Sequence, residues 1–438
     1  MMNRIILIGN GFDLAHGLAT SYMDFINHYW EQWGERLQGT YLGNKLTDNL
    51  CSISQKGEQR PWYWIFPAMN IRTGTKITPK EVIDTVKMCP DGFLIEKKPF
   101  FQCIDKAIET KNWVDIENEF YLWLKKIHEH DCSEYNCPTP LNEELESIKE
   151  CLVEYLKSIQ KELISPELVK DCIWKTIYEP FNARDISVGA QGLFEEFLVA
   201  RLKYLSTEDD REISSFLYRF GQSFCETHSD IESYKKSVQN PSAPDSSDIA
   251  KHLKKVNDNK GEVPSCFLLP EQILLLNFNY TKTADLYIPA KSDFEVNHIH
   301  GELGNDENPV IFGYGDELDE DYKRISDLND NSYLTNIKSI RYLETDNYRR
   351  LLRFIASAPY QIYIMGHSCG NSDRTLLNTL FEHRNCVSIK PYYHLREDGS
   401  DNYIEIIQNI SRNFNDMQTM RDRVVNKSYC RPLVPREN

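Results

Sequence analysis

Arg4-Ile5-Ile6-Leu7-Ile8-Gly9-Asn10-Gly11-Phe12-Asp13, followed by Gly17, is the stretch that decides the fold of this chain. A short continuous apolar run bounded by glycine reads as a buried parallel strand. It ends in two glycines at i and i+2 that open toward a helix. A dinucleotide loop has this layout: the first glycine allows a tight turn, the second lets the backbone approach a pyrophosphate, and the helix N-terminus offers N–H groups to the anion. The third glycine stands at 17 rather than 14, and no acid is cleanly placed for a ribose hydroxyl, so a plain strand-to-helix turn stays open beside the nucleotide reading. A carboxylate at the mouth of such a loop repels phosphate, so Asp13 either caps the helix or holds a ribose hydroxyl.

Further runs of the same kind occur at 273–278, 294–299, 309–312, 361–365, 387–393 and 403–407, all in the last third of the chain. The sequence therefore predicts an α/β fold with a Rossmann-like, mostly parallel sheet built from both chain ends, residues 1–40 and 265–438. Between them the pattern turns helical. Leu145, Ile148, Leu152, Leu156, Ile159 and Leu163 recur three or four residues apart, and Trp113, Ile116, Phe120, Leu124 and Ile127 do the same. Residues 41–264 are thus expected to form a large helical insertion. Its segment 235–264 is rich in Pro, Ser, Asn and Lys and poor in large apolar residues, as a flexible linker or loop would be.

The 438 residues carry 50 Lys and Arg against 66 Asp and Glu, a net charge of −16. That balance argues against a protein that coats nucleic acid, whose affinity rests on neutralising phosphates. No run approaches the roughly 18 apolar residues of a membrane helix, and 5–8 is too short for a signal-peptide core. A cytoplasmic protein that makes no use of a membrane is expected, with its 12 cysteines reduced, since no Cys-x-x-Cys occurs among them.

Three more motifs stand where strands stop. Asn277-Phe278-Asn279-Tyr280-Thr281 puts two amides at a strand's carboxyl end, where open α/β sheets bind ligands, although Asn there also closes turns. In Asn297-His298-Ile299-His300-Gly301, alternation places both histidines on one side of the strand, and Gly301 suggests an imidazole brought against a backbone turn or a ligand. In Ile364-Met365-Gly366-His367-Ser368, Gly366 and Ser368 suit a second approach to a nucleotide. Ser372 and Asp373 are read as caps of the helical pattern 376–381. His128, His130, Cys132 and Cys137 crowd into ten residues without the two separated pairs of a zinc site, so no metal is expected.

Taken together these pieces resemble the bacteriophage abortive infection AbiH family over the full length. The resemblance rests on 8–14 with Gly17, Thr20, Tyr22 and Phe25, on 113–117, on 277–281, on 298–301 and on Gly366-His367-Ser368. More remotely they are similar to sirtuins. Gly9-Asn10-Gly11 stands for the sirtuin Gly-Ala-Gly loop, Asn277-Phe278-Asn279 for Thr-Gln-Asn, His300-Gly301 for His-Gly, and Gly366-His367-Ser368 for Gly-Thr-Ser. The four-cysteine zinc ribbon of sirtuin deacylases is missing between the last two motifs, which directs the resemblance to zinc-free, sirtuin-like antiviral proteins that hydrolyse NAD.

The resemblance implies NAD as substrate, hydrolysed to nicotinamide and ADP-ribose in antiphage defence, and a homo-oligomer by analogy. Its catalytic Asn and His fall on Asn279 and His300, and its nucleotide contacts on Gly9, Asn10, Gly11, Phe12, Asp13, Asn277, Gly366, His367 and Ser368. From the residues themselves, an amide can order a ribose hydroxyl or a water, and an imidazole titrating near 6.5 can take a proton at neutral pH. Glu117, at the edge of an apolar helical stripe, is either paired inside the core or a third catalytic group aimed into a cleft. A non-catalytic sensor of NAD or a derivative, and an adaptor for another defence protein, fit the same residues.

Overall fold

The computed structural model describes residues 1–39, 45–57, 77–111, 115–207, 216, 219–220, 268–290 and 292–436. Segment 235–264, with Trp113 and Val114, lies outside the described residues. The chain divides into two compact units: Met1–Leu18, Leu163–Ile311 and Arg341–Asn438 form one, Ala19–Glu162 and Phe312–Ile340 the other. These boundaries differ from 40/41 and 264/265, because the helices Asp171–Ile177 and Gln191–Thr207 pack with the first unit.

The first unit is built on five parallel strands, β1 (Asn3–Ile8), β5 (Ile273–Asn277), β6 (Glu295–His298), β7 (Tyr360–Met365) and β8 (Cys386–Tyr392), in the order β6-β5-β1-β7-β8. Three shorter strands, β2 (Lys45–Thr47), β3 (Cys51–Gln55) and β4 (Phe93–Lys97), lie in the second unit. Both chain ends supply the sheet, as the apolar runs predict, and β1 is its centre: Ile5 pairs with Leu274 on one side and Ile362 on the other. Counted along the chain these strands lie 3-2-1-4-5, the order of a doubly wound nucleotide-binding sheet, whose direction of winding reverses between β1 and β7.

Buried on both faces, β1, β5 and β7 are apolar over successive positions rather than at alternate ones, as in Ile5–Ile8, Ile273–Leu276 and Ile362–Met365. Ile5, Leu7, Leu274, Leu276, Ile362, Ile364 and Ile389 face one layer, with Leu351 and Ile355, Leu376 and Leu380, and Ile406 and Ile410 from three helices. Ile6, Ile8, Ile273, Leu275, Tyr363 and Met365 face the other, against Phe12, Ile173, Ile177 and Tyr287.

Two strand readings are overturned. Residues 403–407 open the helix Tyr403–Arg412, which buries Tyr403, Ile406 and Ile410, a helical spacing. Residues 309–312 join no ladder; the Ile311 N–H donates to the His300 carbonyl at 2.9 Å as the chain folds back on itself.

The second unit is mainly helical, with Tyr22–Gly39, Pro79–Met88, Pro99–Lys111, Ile116–His128 and Pro138–Leu163. The last spans the predicted stripe and buries Leu145, Ile148, Leu152, Leu156 and Ile159. The insertion is not purely helical as expected: β2 (Lys45–Thr47), β3 (Cys51–Gln55) and β4 (Phe93–Lys97) make a small antiparallel sheet. Their brevity and their exposed charged positions hide them from an apolar-run reading.

Candidate functional site

The residues that the sequence singles out in the first unit meet at the carboxyl edge of its sheet. Past β1 the chain turns through Gly9 and Gly11 into a helix of six residues, Asn10–Ala15. The Gly9 N–H donates to the Met365 carbonyl (3.3 Å) and the Gly11 N–H to the Gly366 carbonyl (2.9 Å). A Cβ on Gly9 would stand 2.5 Å from the Cα of His367, and one on Gly11 2.9 Å from the Cα of Gly366. Backbone meeting backbone at the winding reversal thus requires these glycines, and the Gly11 amide is already engaged there. The helix presents Asn10 to solvent at this edge, half-buried Gly11 beside it, and buries Phe12, whose ring packs on His16 and Tyr287.

Asp13 is 1% exposed and does not cap this helix. Its Oδ2 accepts from the Thr281 hydroxyl at 2.6 Å, tying the helix to the turn after β5. Burial raises its carboxyl to about 6, against the opposing hydrogen-bonding groups of Thr281, Thr283 and Asn279.

That turn is organised by Asn277, which is fully buried. Its Oδ1 accepts from the Asn279 N–H (3.1 Å), and its Nδ2 donates to the Thr281 carbonyl (3.0 Å) and lies 3.1 Å from His298 Nδ1. The amide is therefore committed to holding the turn. Asn279, half-buried, emerges from it with its Nδ2 donating to the Gly9 carbonyl at 3.1 Å, which joins the amide motif to the glycine loop.

The two histidines expected on one side of a strand have different surroundings, because β6 stops at His298 and alternation stops with it. His298 sits between Asn277 and Asp285, whose Oδ2 is 3.0 Å from its Nε2. His300 lies in the turn beyond, 3% exposed, its Nε2 at 3.1 Å from the Tyr342 hydroxyl and 3.2 Å from Asp373 Oδ1. Gly301, at φ +86, lets the loop close here: a Cβ would stand 2.1 Å from the Pro309 carbonyl oxygen.

His367 is brought to the same place from β7. The Phe278 ring contacts both imidazoles edge-on, His300 at 5.1 Å and His367 at 4.1 Å between centroids. His367 Nδ1 accepts from the Cys369 N–H at 2.9 Å, and its Nε2 is 3.6 Å from Asp373 Oδ2. The turn 366–369 holds two left-handed residues, Gly366 (φ +78) and Cys369 (φ +55). It is pinned by Asn409, whose Nδ2 donates to the exposed Ser368's carbonyl, and by Asn413, whose Nδ2 donates to the Cys369 carbonyl.

Asp373, read in the sequence as a helix cap, holds the N-cap position of Arg374–Glu382 without a side-chain cap hydrogen bond. Its carboxylate faces the two histidines instead. Sequence reasoning missed Asp373 as well as Tyr342, Asn409 and Asn413. The only signal was the acid at Asp373 itself, beside Ser372, and the local pattern favoured a cap for both.

Glu117 lies in the second unit, on the buried face of Ile116–His128. Its Oε2 is 2.8 Å from the Nζ of Lys338, a lysine with no exposed surface, and its Oε1 accepts from the Gly313 N–H at 3.1 Å. Glu117 is thus ion-paired within its own unit. Among the described residues no group of three or more His, Cys, Asp or Glu is arranged to hold a metal ion. Nor, among them, is any helix long and apolar enough to cross a membrane.

A doubly wound α/β sheet whose winding reverses beside a polar, glycine-walled edge defines the class of protein: an α/β protein with its candidate ligand site at the carboxyl ends of its strands. The chain belongs to the bacteriophage abortive infection AbiH family, whose model matches residues 5–394. That membership points to an antiphage, abortive-infection role. Neither curated proteins nor solved structures give a match.

Proposed function

We propose that the carboxyl edge of the sheet binds NAD and hydrolyses its nicotinamide–ribose bond, depleting the nucleotide during abortive infection. The observation that carries this reading is convergence. Asn279 donates to Gly9, Gly9 packs on His367, and His367 shares the Phe278 ring with His300, so residues 358 positions apart in the chain close on one edge. The remote similarity of the same motifs to zinc-free, sirtuin-like NAD hydrolases agrees with it.

The chemistry asks little of the protein. The leaving nicotinamide is already a cationic pyridinium, so no acid is needed; as the C1′–N bond breaks, its electron pair neutralises the ring nitrogen and the ribose becomes oxocarbenium-like. Asn279 orders a ribose hydroxyl or the attacking water through its amide. His300 takes the proton that water loses as its oxygen bonds to C1′, a contribution typically worth about 10²–10⁴-fold. Asp13 accepts a ribose hydroxyl, and Asn10, Gly11 and Ser368 form the accessible rim. Asn277 supports the turn, and Glu117, engaged by Lys338 and Gly313, is assigned no step.

The enclosure of His300 favours a second reading, a sensor that binds NAD or a derivative without cleaving it. Incubating the purified protein with NAD, followed by liquid chromatography, separates them. Release of nicotinamide that is lost in both Asn279→Ala and His300→Ala supports hydrolysis. Saturable NAD binding with no nicotinamide released supports the sensor, and neither binding nor release removes the nucleotide reading.

A further inference from the structure

We infer that Asp373 is the positioning residue of this site: it receives the Nε2–H of His300 and holds that imidazole in the tautomer whose lone pair is on Nδ1. The inference deepens the proposed hydrolysis and rests on it for its kinetic half only.

Three observations carry it. First, Asp373 occupies a helix N-cap position, where an aspartate ordinarily accepts a backbone N–H, yet no such cap bond forms. Its carboxylate instead lies 3.2 Å from His300 Nε2 and 3.6 Å from His367 Nε2, one oxygen to each ring. Second, the proton of neutral His367 is placed independently. Because its Nδ1 accepts from the Cys369 N–H, the ring carries its hydrogen on Nε2, the nitrogen that faces Asp373. The carboxylate therefore faces the N–H of His367 with one oxygen, and with the other it faces the His300 nitrogen that also lies 3.1 Å from the Tyr342 hydroxyl. Third, the cluster is enclosed: the side chains of His300, His367 and Asp373 are 4%, 5% and 10% exposed. A carboxylate so placed needs hydrogen-bond donors, and an imidazole N–H from each ring is placed to supply one.

The chemical consequence is specific. With Nε2 donating to Asp373, the basic atom of His300 is Nδ1, and the imidazolium formed when it takes a proton from water is stabilised by the adjoining carboxylate. Replacing the carboxylate by an amide leaves a group that accepts through one atom and donates through the other, which cannot serve two N–H donors. In a comparable buried Asp–His pair the Asp→Asn change leaves the geometry intact and lowers kcat about 10⁴-fold through the wrong tautomer.

The test has a spectroscopic and a kinetic arm, both on the full chain. Nitrogen-15 NMR of histidine-labelled protein, with His300 assigned by the signal missing in His300→Gln, reads the tautomer directly. The wild type is expected to show His300 protonated on Nε2, and Asp373→Asn to show that preference lost, with Asp373→Glu restoring it. In nicotinamide release, Asp373→Asn is expected to lower kcat by on the order of 10²-fold or more with little change in KM, and to move the acid limb of the pH profile, while Asp373→Glu recovers part of the rate. His300 protonated on Nδ1 in the wild type, or an unchanged tautomer in a folded Asp373→Asn, overturns the inference. If the wild type releases no nicotinamide, the hydrolase reading fails, and the NMR arm still decides Asp373.

Discussion

A methyl group added to Gly366 would lie 2.0 Å from the backbone nitrogen of Phe12. The residue also stands at φ +78, a region that side chains disfavour. The turns after two strands, with Phe12 and Gly366 354 positions apart in the chain, are thus in backbone contact at the point where ligands enter sheets of this order. Gly366→Ala must separate them, and with strain and steric overlap together we expect a loss of about 3 kcal/mol or more. Urea unfolding monitored by circular dichroism checks this, and an unchanged midpoint would show that the two turns can part freely.

Asp13 gives the stability of the chain an unusual dependence on pH. Its carboxyl is raised from 3.8 to about 6 in the folded state. Between those values the unfolded chain has released a proton that the folded chain keeps, so stability falls as pH rises through the window and levels off above it. At 1.36 kcal/mol per unit the full effect is roughly 3 kcal/mol. Asp13→Asn keeps an oxygen for the Thr281 hydroxyl and has nothing to ionise, so it should be more stable than the wild type at pH 7 and converge with it near pH 4. His16 works in the opposite sense. Burial lowers its pKa, so stability present at neutral pH is lost as acid protonates the unfolded chain first. The variant should therefore lose stability more steeply on acidification. Denaturation midpoints from pH 4.5 to 7 that run parallel in the two proteins would exclude an Asp13 titration in this range.

The turn 366–369 depends on amides supplied from elsewhere. Asn413 Nδ2 donates to the Cys369 carbonyl at 2.9 Å, holding a residue at φ +55. Asn413→Ala removes that donor from a buried carbonyl and should cost about 1–3 kcal/mol, while weakening NAD binding because Gly366, His367 and Ser368 lose their anchor. Isothermal titration with NAD set beside thermal unfolding tests the pairing; lost stability with unchanged affinity would separate the turn from the ligand site.

What was legible in the sequence follows from how each part is stabilised. The strands were readable where a parallel strand covered on both faces is a near-continuous apolar run, as in Ile5 to Ile8 and Leu274 to Leu276. Residues 403–407 were misread because Ile404, 58% exposed, falls in a run whose helical spacing emerges only when Ile410 is included. The glycines were found but for a different reason, since a neighbouring backbone demands them as strictly as a pyrophosphate would. Asp373 was invisible as a partner of His300 because that contact spans the sheet, whereas the cap it seemed to offer was local.

Lys338 and Glu117 set the last test. Both are buried, with Nζ and Oε2 2.8 Å apart, and Glu117 also holds the Gly313 N–H. Removing one member of a buried pair strands the other's charge, so Lys338→Met should cost about 3–5 kcal/mol, and Lys338→Met with Glu117→Gln should recover much of it. A double-mutant cycle by denaturant unfolding measures the coupling. The double variant also decides between the two roles that the sequence left open for Glu117. If it folds and releases nicotinamide at the wild-type rate, the carboxylate serves the second unit's structure alone. A folded double variant slowed 10²-fold or more would return Glu117 to the catalytic group, because lost packing would by then have been compensated.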